Sequence, residues 1–204
     1  MVASKASSVL NSLVEYAKDQ GASHVKVISA KDVCVDKRVR LKCSVPRCSG
    51  YGTNLMCPPN VMSVDEFREI LGLYDRAILV QVESETDSTD KSSRSLDLQL
   101  CEKIDSTTDS SKWQRRLLKL VNGIESQAFK KGFYLAAGLS GGECCLCKAC
   151  VTSGSGRPCR HPFEARPSME AMGIDVIKTC EKAGMPVKLS SKKRVRWTGL
   201  VLLR

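Results

Sequence analysis

The stretch Ser-Val-Asp-Glu-Phe-Arg-Glu-Ile-Leu-Gly-Leu-Tyr-Asp-Arg-Ala-Ile-Leu-Val-Gln-Val, residues 63–82, contains one complete helix-strand unit. Ser63 and Glu66 have the spacing of a capping box, in which the two side chains satisfy free amides at the start of a helix. Apolar residues then recur at helical spacing over residues 67–74. The apolar run within residues 76–82 predicts a buried strand. The unit therefore predicts a helix that packs back on the strand that follows it.

The same order of elements is predicted in both halves of the chain. In the first half, a helix over residues 8–20 and a strand over residues 24–28 precede a cysteine-rich loop and the unit quoted above. In the second half, the pattern predicts a helix around Leu117–Ala128 that ends before Gly132, followed by a strand at 133–137. A further helix is predicted to begin at 167–170, with Ile174, Ile177 and Cys180 facing inward. A final strand is predicted at 195–203. Each half thus reads helix, strand, cysteine loop, helix, strand.

This order predicts an α/β fold in which two similar halves share one sheet, with helices covering it. The halves run over about residues 8–84 and 112–204, and we expect them to be related by an internal duplication. The polar, apolar-free residues 84–95 are typical of a linker between them. A chain of 204 residues is long enough for one substantial core, so we expect a single domain over residues 1–204.

Composition sets the expected compartment. No run of about 18 apolar residues occurs, which argues against a membrane span, and the polar residues 1–8 lack the apolar core of a secretion signal. We therefore expect a cytoplasmic, reducing environment. In such an environment, clustered cysteines bind metal or do redox work more often than they form structural disulfides.

Nine of the 11 cysteines lie in two stretches, residues 34–57 and 144–159. Thiolates are soft ligands that suit zinc and iron–sulfur clusters. In the second stretch, Cys144, Cys147 and Cys150 have the C-x2-C-x2-C spacing of a ferredoxin-type [4Fe–4S] site, with Cys159 as the nearest fourth ligand. The gap before Cys159 leaves open that it belongs to the other stretch. A structural zinc site is the alternative, although zinc prefers paired C-x2-4-C knuckles. Cys145 is expected to point away from the cluster.

The first stretch has looser spacing. Cys43, Cys48 and Cys57 match no compact cluster signature, and Cys34 would complete a four-thiolate site. Without Cys34, the metal would have one open position, a feature that distinguishes catalytic from closed structural sites. Cys34 lies in an apolar, strand-like context, so a buried packing role is the competing interpretation.

Several loop residues are candidates to surround the metals. Gly50 and Gly52 permit close approach of the backbone. Three arginines are candidates to balance thiolate charge or bind an anionic ligand: Arg47, Arg160 and Arg166. For His161, a structural contact is favoured over ligation.

The chain resembles a known family over nearly its whole length. The resemblance rests on Arg40-Leu41-Lys42-Cys43, on Cys48-x2-Tyr51-Gly52-x-Asn54-Leu55-Met56-Cys57-Pro58-Pro59, on Gly142-Glu143-Cys144 through Cys150, on Cys159-Arg160-His161-Pro162 and on residues 166–176. The chain is similar to the predicted metal-binding proteins of domain-of-unknown-function family 2284, which are found largely in anaerobic microbes. The resemblance implies metal binding in an anaerobic cytoplasm and supplies no reaction. It implies seven motif cysteines, namely Cys43, Cys48, Cys57, Cys144, Cys147, Cys150 and Cys159, and leaves Cys34, Cys101 and Cys180 outside the pattern. Seven ligands divide into one closed site of four and one site of three, with a single shared site as the alternative.

Three functions follow from these patterns. The leading hypothesis is an iron–sulfur protein that transfers electrons, with one [4Fe–4S] cluster in the second loop and a second metal centre in the first. Its net charge of +10 suits docking to an acidic redox partner protein. The second is an enzyme that uses Cys43, Cys48 and Cys57 for Lewis-acid or sulfur chemistry. The third is a zinc protein that docks RNA through Lys112, Arg115, Arg116 and the basic residues 192–196.

Overall fold

The computed structural model describes residues 2–85, 108–151, 155–185, 187 and 194–204. In chain order its elements are α1 (Val2–Asp19), β1 (His24–Ser29), a short 3-10 helix (Ala30–Asp32), α2 (Lys37–Leu41), α3 (Val64–Leu71), β2 (Arg76–Glu85), α4 (Thr108–Lys130), β3 (Ala137–Leu139), α5 (Val176–Lys182) and β4 (Arg194–Leu203). Residues 84–85 of the predicted linker belong to β2, and residues 86–95 lie outside the described residues.

The four strands form one antiparallel sheet in the order β1-β2-β4-β3. The strands of each half pair with each other, and β2 pairs with β4 to join the halves, with Val80 opposite Gly199. The described residues therefore form a mixed α/β fold with one shared sheet, as predicted. The order of elements repeats between the halves, while their origin by duplication stays a prediction.

One face of the sheet packs against α1 and α4. Because side chains alternate along a strand, Ile78, Val80 and Val82 of β2 point to this face together with Val201 and Leu203 of β4. They meet an apolar stripe on the two helices that comprises Leu13 and Ala17 of α1 and Leu117, Leu120, Val121, Ile124 and Ala128 of α4. Full burial of each large side chain contributes about 1.5–3 kcal/mol, so this layer anchors α4 firmly on the sheet.

The opposite face packs against α3, α5 and parts of the cysteine loops. Ala77 and Leu79 of β2 and Leu200 and Leu202 of β4 form its floor. Residues of the connections complete this core, including Val33 from the first loop and Met169, Met172 and Ile174 from the second. The two cysteine loops are therefore built on the same face of the sheet.

The start of α3 confirms the predicted capping box. The Ser63 hydroxyl accepts the amide of Glu66 at 3.1 Å, and the Glu66 carboxylate accepts the amide of Ser63 at 2.7 Å. The helix places Phe67 and Leu71 in the core, whereas Ile70 is exposed on the far side.

Two predicted elements are wrong in position. The strand predicted at 133–137 begins only at Ala137, because residues 133–136 form a turn closed by the Ala136 amide on the Phe133 carbonyl. The helix predicted to open at 167–170 begins at Val176, where Asp175 caps it. The turns before it end at Gly173, whose positive φ of 81° interrupts any helix that started earlier. As a consequence Ile177 faces solvent, while Ile174 and Cys180 are buried as predicted.

Among the described residues, no helix combines the length and the apolar character that crossing a membrane requires.

Candidate metal centre

The second cysteine loop, residues 140–175, leaves β3 through a narrow passage between α4 and β4. Gly142 adopts a positive φ of 74°, a backbone conformation that residues other than glycine rarely adopt. A Cβ atom at this position would lie 2.5 Å from Gln114 Nε2 and 3.1 Å from the Trp197 ring. Glycine is therefore required here for two reasons, and it sets the direction in which the loop enters the site.

All five cysteines of this loop line one cavity of about 780 Å³, namely the four predicted ligands Cys144, Cys147, Cys150 and Cys159 and also Cys145, which was expected to point away. Residues 52–56 of the first loop and Arg115 of α4 form other parts of its wall. The structure thus places Cys159 with the three closely spaced cysteines, in spite of the long gap in sequence. All four predicted ligands are half-buried, so the cavity reaches the surface.

Backbone amides point at the sulfur atoms of the second loop. The His161 amide donates to Cys159 Sγ at 3.3 Å, and the Leu146 amide donates to Cys144 Sγ. Such N–H donors stabilise negative charge on a ligand sulfur. Burial outweighs this effect for Cys144, because it raises the pKa of that thiol above its ordinary value.

Two arginines brace the backbone of this loop, one from α4 and one from within the loop itself. Arg115 of α4 donates to the carbonyl of Cys145 at 3.0 Å, and Arg160 donates to the carbonyl of Ala149 at 2.8 Å. Carbonyls accept these bonds, so each guanidinium fixes the backbone of the cysteine segment, and Arg115 also bonds the Cys145 thiol.

The first cysteine loop, residues 33–62, is folded by its own backbone. The Cys48 amide donates to the carbonyl of Cys43 at 3.0 Å, and the Asn60 amide donates to the carbonyl of Cys57 at 3.0 Å. Asn54 is buried and organises the interior, since its Oδ1 accepts the amide of Met56 and its carbonyl accepts Asn60 Nδ2, both at 3.0 Å. These bonds leave the three cysteines on neighbouring turns.

One thiol of the first loop is more deeply placed than the others, because Cys57 is buried whereas Cys43 and Cys48 are half-buried. Cys57 is 8% exposed, and burial raises its pKa to about 12. A hydrogen bond with Asn54 lowers this pKa, whereas negative charge on Glu143, Cys48 and Cys43 acts in the same direction as burial. Burial also raises the pKa of Cys43, with further contributions from Cys48 and Glu170.

The two loops meet at Gly50. A Cβ atom on Gly50 would lie 2.9 Å from Glu143 Oε2 and 3.1 Å from Cys57 Sγ. Glu143 precedes Cys144 in the second loop, so its carboxylate enters the space of the first. Nearby, the loops are tied by a bridge between Val35 and Ile174 and by the Asp175 amide, which donates to the carbonyl of Cys34 at 2.8 Å.

Glu170 is a second carboxylate that the sequence did not single out. The residue as a whole is half-buried, but its Oε2 atom is buried and has no hydrogen-bond partner among the described residues. Burial raises the pKa of this carboxyl group above its ordinary value. Glu170 lines a separate cleft beside α2, together with Val39 and Lys42.

The other cysteines have local partners. The Cys34 thiol donates to the carbonyl of Asp32 at 3.5 Å, and its amide donates to Thr179 Oγ1 at 3.0 Å. The Cys145 thiol lies 3.9 Å from the carbonyl of Ser111, and Gln81 Nε2 donates to Cys180 Sγ at 3.6 Å in the core. Cys101 lies outside the described residues. The loop cysteines and the core cysteine are therefore separated by the fold.

The remaining sequence candidates serve the structure of the loops. Arg166 forms a two-point ion pair with Glu125, at 2.8 and 2.9 Å, and Glu125 also accepts the amide of Gly138. Arg47 packs over the ring of Tyr51 at 5.5 Å. His161 lines the cavity and places Nδ1 3.5 Å from Glu164.

A basic cleft adjoins the cavity on the side of α4. It has a volume of about 550 Å³ and is lined by Lys112, Arg115, Arg116 and Lys119. Arg116 lies over the ring of Trp113 at 5.2 Å. Residues 192 and 193 of the second predicted basic run lie outside the described residues.

Across the described residues, the structure shows no group of three or more His, Cys, Asp or Glu side chains arranged to hold a metal ion. The donor set of the second loop nevertheless fits an iron–sulfur cluster, because the four predicted ligands are among the five cysteines that border one cavity, and amides point at two of their sulfurs.

Comparison with known proteins supports metal binding as the general property of this chain. A family model described as predicted metal-binding protein (DUF2284) matches residues 26–203, so the chain belongs to this family and the resemblance is confirmed. Neither the curated proteins nor the solved structures gave a match.

Proposed function

We propose that this member of the family of predicted metal-binding proteins transfers electrons through a [4Fe–4S] cluster held by Cys144, Cys147, Cys150 and Cys159, with a second metal centre in the first loop. The observation that carries the proposal is the position of these four cysteines around one cavity. When bound, such a cluster exchanges one electron at a time with a reduced or an oxidised partner protein.

The cavity around these cysteines is large enough for an iron–sulfur cluster, and the spacing of the cysteines in the sequence is what favours a cluster over a single zinc ion. A zinc site requires four sulfur atoms within about 2.3 Å of one point. A cavity of about 780 Å³ has space for the larger iron–sulfur core. The amides of Leu146 and His161 supply the hydrogen bonds to sulfur through which proteins tune the potential of such clusters.

The surface around the cavity supports an acidic redox protein as the partner. Arg115, Lys148 and Arg160 lie on its wall, and the basic cleft of Lys112, Arg116 and Lys119 continues from it. Charge complementarity of this kind speeds encounter and orients the two proteins more than it tightens the complex. A partner docked here would face the half-buried second loop.

Anaerobic purification followed by iron and sulfide analysis tests the proposal. We expect the Cys150→Ala chain to contain about four fewer iron atoms and four fewer sulfide ions than the wild type. The matched control is Cys34→Ala, which removes a loop cysteine that has its own local partners and should leave both counts unchanged. Zinc without sulfide in the wild-type chain would overturn the iron–sulfur assignment.

A second candidate function is an enzyme that works at the first loop. Residues 52–56, next in sequence to Cys57, form part of the wall of the cavity together with the cysteines of the second loop, whereas Cys43, Cys48 and Cys57 do not line it. A small molecule bound there would contact both loops. If this candidate holds, a chain with Cys43, Cys48 and Cys57 replaced by alanine loses turnover while it keeps the iron of the second loop, and retained turnover would exclude it.

A further inference from the structure

A small pocket at the end of α4 is surrounded by exposed aromatic rings. It has a volume of about 300 Å³ and is lined by Phe129 of α4, Tyr134 of the turn before β3 and Phe163 of the second loop. We call it the aromatic pocket. The rings of Phe129 and Tyr134 meet edge to face with their centroids 5.4 Å apart, and Phe163 is 88% exposed. Exposed apolar groups gathered in one place mark a binding site, whereas single ones need no explanation.

The aromatic pocket carries positive charge. Among the described residues that line it, Glu125 is the one acid, and Arg166 neutralises it through the two-point ion pair. Lys130 lines the same pocket and is exposed. A cationic ligand would therefore be repelled, whereas a ligand that combines a planar ring with negative charge would be attracted.

Helix α4 connects the aromatic pocket to the basic cleft. At 3.6 residues per turn, Lys112, Arg116, Lys119, Ser126 and Lys130 recur on one side of the helix, and all five are exposed. The apolar stripe that packs on the sheet occupies the other side. At about 1.5 Å per residue, this exposed face extends about 27 Å from Lys112 to Lys130. The cations of the cleft and the aromatic rings thus lie along one continuous surface.

We propose that this face of α4 binds single-stranded nucleic acid, with bases stacked in the aromatic pocket and phosphates paired with the basic cleft. A single strand exposes its bases to aromatic side chains, while a groove of cations follows its backbone. A duplex would offer phosphates to the cleft but would keep its bases paired. This function is separate from electron transfer, and it gives the aromatic pocket an occupant that an acidic redox partner does not supply. The two ligands would compete for the basic cleft.

Fluorescence anisotropy of the full chain, purified without oxygen, tests the inference. The probe is a labelled RNA strand of about 12 nucleotides without self-complementarity, a length within the usual range of single-strand sites. We expect it to bind more tightly than the same strand annealed to its complement. Binding should weaken as salt rises, because cations that pair with phosphates release counterions.

The aromatic rings are tested by substitution at the surface. Phe163→Ala and Tyr134→Ala should each weaken binding of the single strand by about 5- to 100-fold, because each removes a ring on which a base stacks. Binding of the duplex should be unchanged. Leu135→Ala is the matched control, since Leu135 is 69% exposed but does not line the aromatic pocket, and it should bind as the wild type does.

The basic cleft is tested through the salt dependence. Lys119→Gln should weaken binding of the single strand and of the duplex, and should reduce the slope of log affinity against log salt for the single strand by about 0.7. Lys31→Gln removes an exposed cation that does not line the cleft, so the slope should keep its wild-type value.

Three results would overturn the inference: no binding of the single strand at low salt, equal affinity for single strand and duplex, or unchanged affinity in both Phe163→Ala and Tyr134→Ala. Binding of polyglutamate that Lys119→Gln weakens, without binding of RNA, would assign the surface to an acidic protein instead. Iron and sulfide are measured on the same samples, so the failure of this inference is distinct from the failure of the proposed function.

Discussion

The two cysteine loops are made in different ways. In the second, four cysteines fall within residues 144–150, three of them at C-x2-C-x2-C spacing, so a short stretch of backbone already brings them together. In the first, the cysteines are spread over residues 43–57, and the buried Asn54 and contacts from the other loop shape the interior. The second loop is half-buried and borders an open cavity, whereas Cys57 of the first is 8% exposed.

This difference shows that the geometry of the two sites has different origins. The spacing of the cysteines in the sequence determines the geometry of the second loop, and Arg115 of α4 holds its backbone from outside. Tertiary packing determines the first loop, because Glu143 reaches it from a distant part of the chain. If metals bind as proposed, the second loop provides an accessible centre and the first provides a sheltered one.

The largest expected effect tests whether the loops bind separately. Cys147→Ala should remove metal from the second loop alone, and Cys48→Ala should remove metal from the first alone. Each should weaken its own site by about 100-fold or more, because a direct ligand contributes more than the outer partners whose loss costs about 10- to 100-fold. Competition with a chelator of known affinity, together with elemental analysis, measures both sites. Loss of all metal in either variant would indicate one shared site and end the comparison.

The sequence predicted the fold where local physics decides it. The capping box at Ser63 depends on residues three apart, and the apolar run in β2 is long enough to form a buried strand in any context. The short β3 was misplaced because the turn at residues 133–136 is itself apolar, and apolar content alone does not separate a turn from a strand. The delayed start of α5 follows from the positive φ of Gly173 and the cap at Asp175, whereas residues 167–170, which also have the pattern of a helix start, are not helical.

The candidate site, like the fold, has a part that the local sequence predicts and a part that depends on tertiary packing. Spacing pointed to Cys144, Cys147 and Cys150, and the structure adds Cys159 to the same cavity. Their role as ligands stays a prediction. Glu143 and Glu170 were missed because their positions depend on how the loops pack, and the only local signal was the place of Glu143 beside a motif cysteine.

The next largest expected effect is a loss of stability when the tight passage of the second loop past α4 is disturbed. Gly142→Ala should destabilise the metal-free chain by about 2–3 kcal/mol, because left-handed backbone strain adds to a clash with Gln114 and Trp197. Gly132→Ala is the control, since it shares the positive φ but meets no atom within 4 Å, and it should cost about 1 kcal/mol. Denaturant unfolding measures both. Equal losses would mean that the passage is not tightly packed.

Within the first loop, replacing Asn54 should lower the free energy of unfolding more than replacing Asn60, which it binds. Asn54→Ala leaves the Met56 amide without its acceptor in a buried place, so we expect a loss of about 2 kcal/mol in unfolding free energy. Asn60→Ala removes the bond from Nδ2 to the Asn54 carbonyl and should cost about 1 kcal/mol. Thermal and denaturant unfolding of the metal-free chain separate the two values. An Asn54→Ala chain as stable as the wild type would show that the loop interior is not held by this side chain.

The smallest effects concern the two arginines that close the loops. Arg115 holds the carbonyl of Cys145, and Arg40 donates to the carbonyl of Met62 at 2.6 Å. Arg115→Gln and Arg40→Gln should each lower stability by about 1 kcal/mol or less, because Arg115 is exposed, Arg40 is only half-buried, and water replaces part of each bond. Their effects on metal should differ. The second loop depends on outside braces, so Arg115→Gln should speed its release of metal to a chelator, whereas the first loop keeps its Asn54 interior in Arg40→Gln and should release metal at the wild-type rate. Faster release from the first loop in Arg40→Gln would show that both loops need bracing from outside, and the contrast between them would then rest on burial alone.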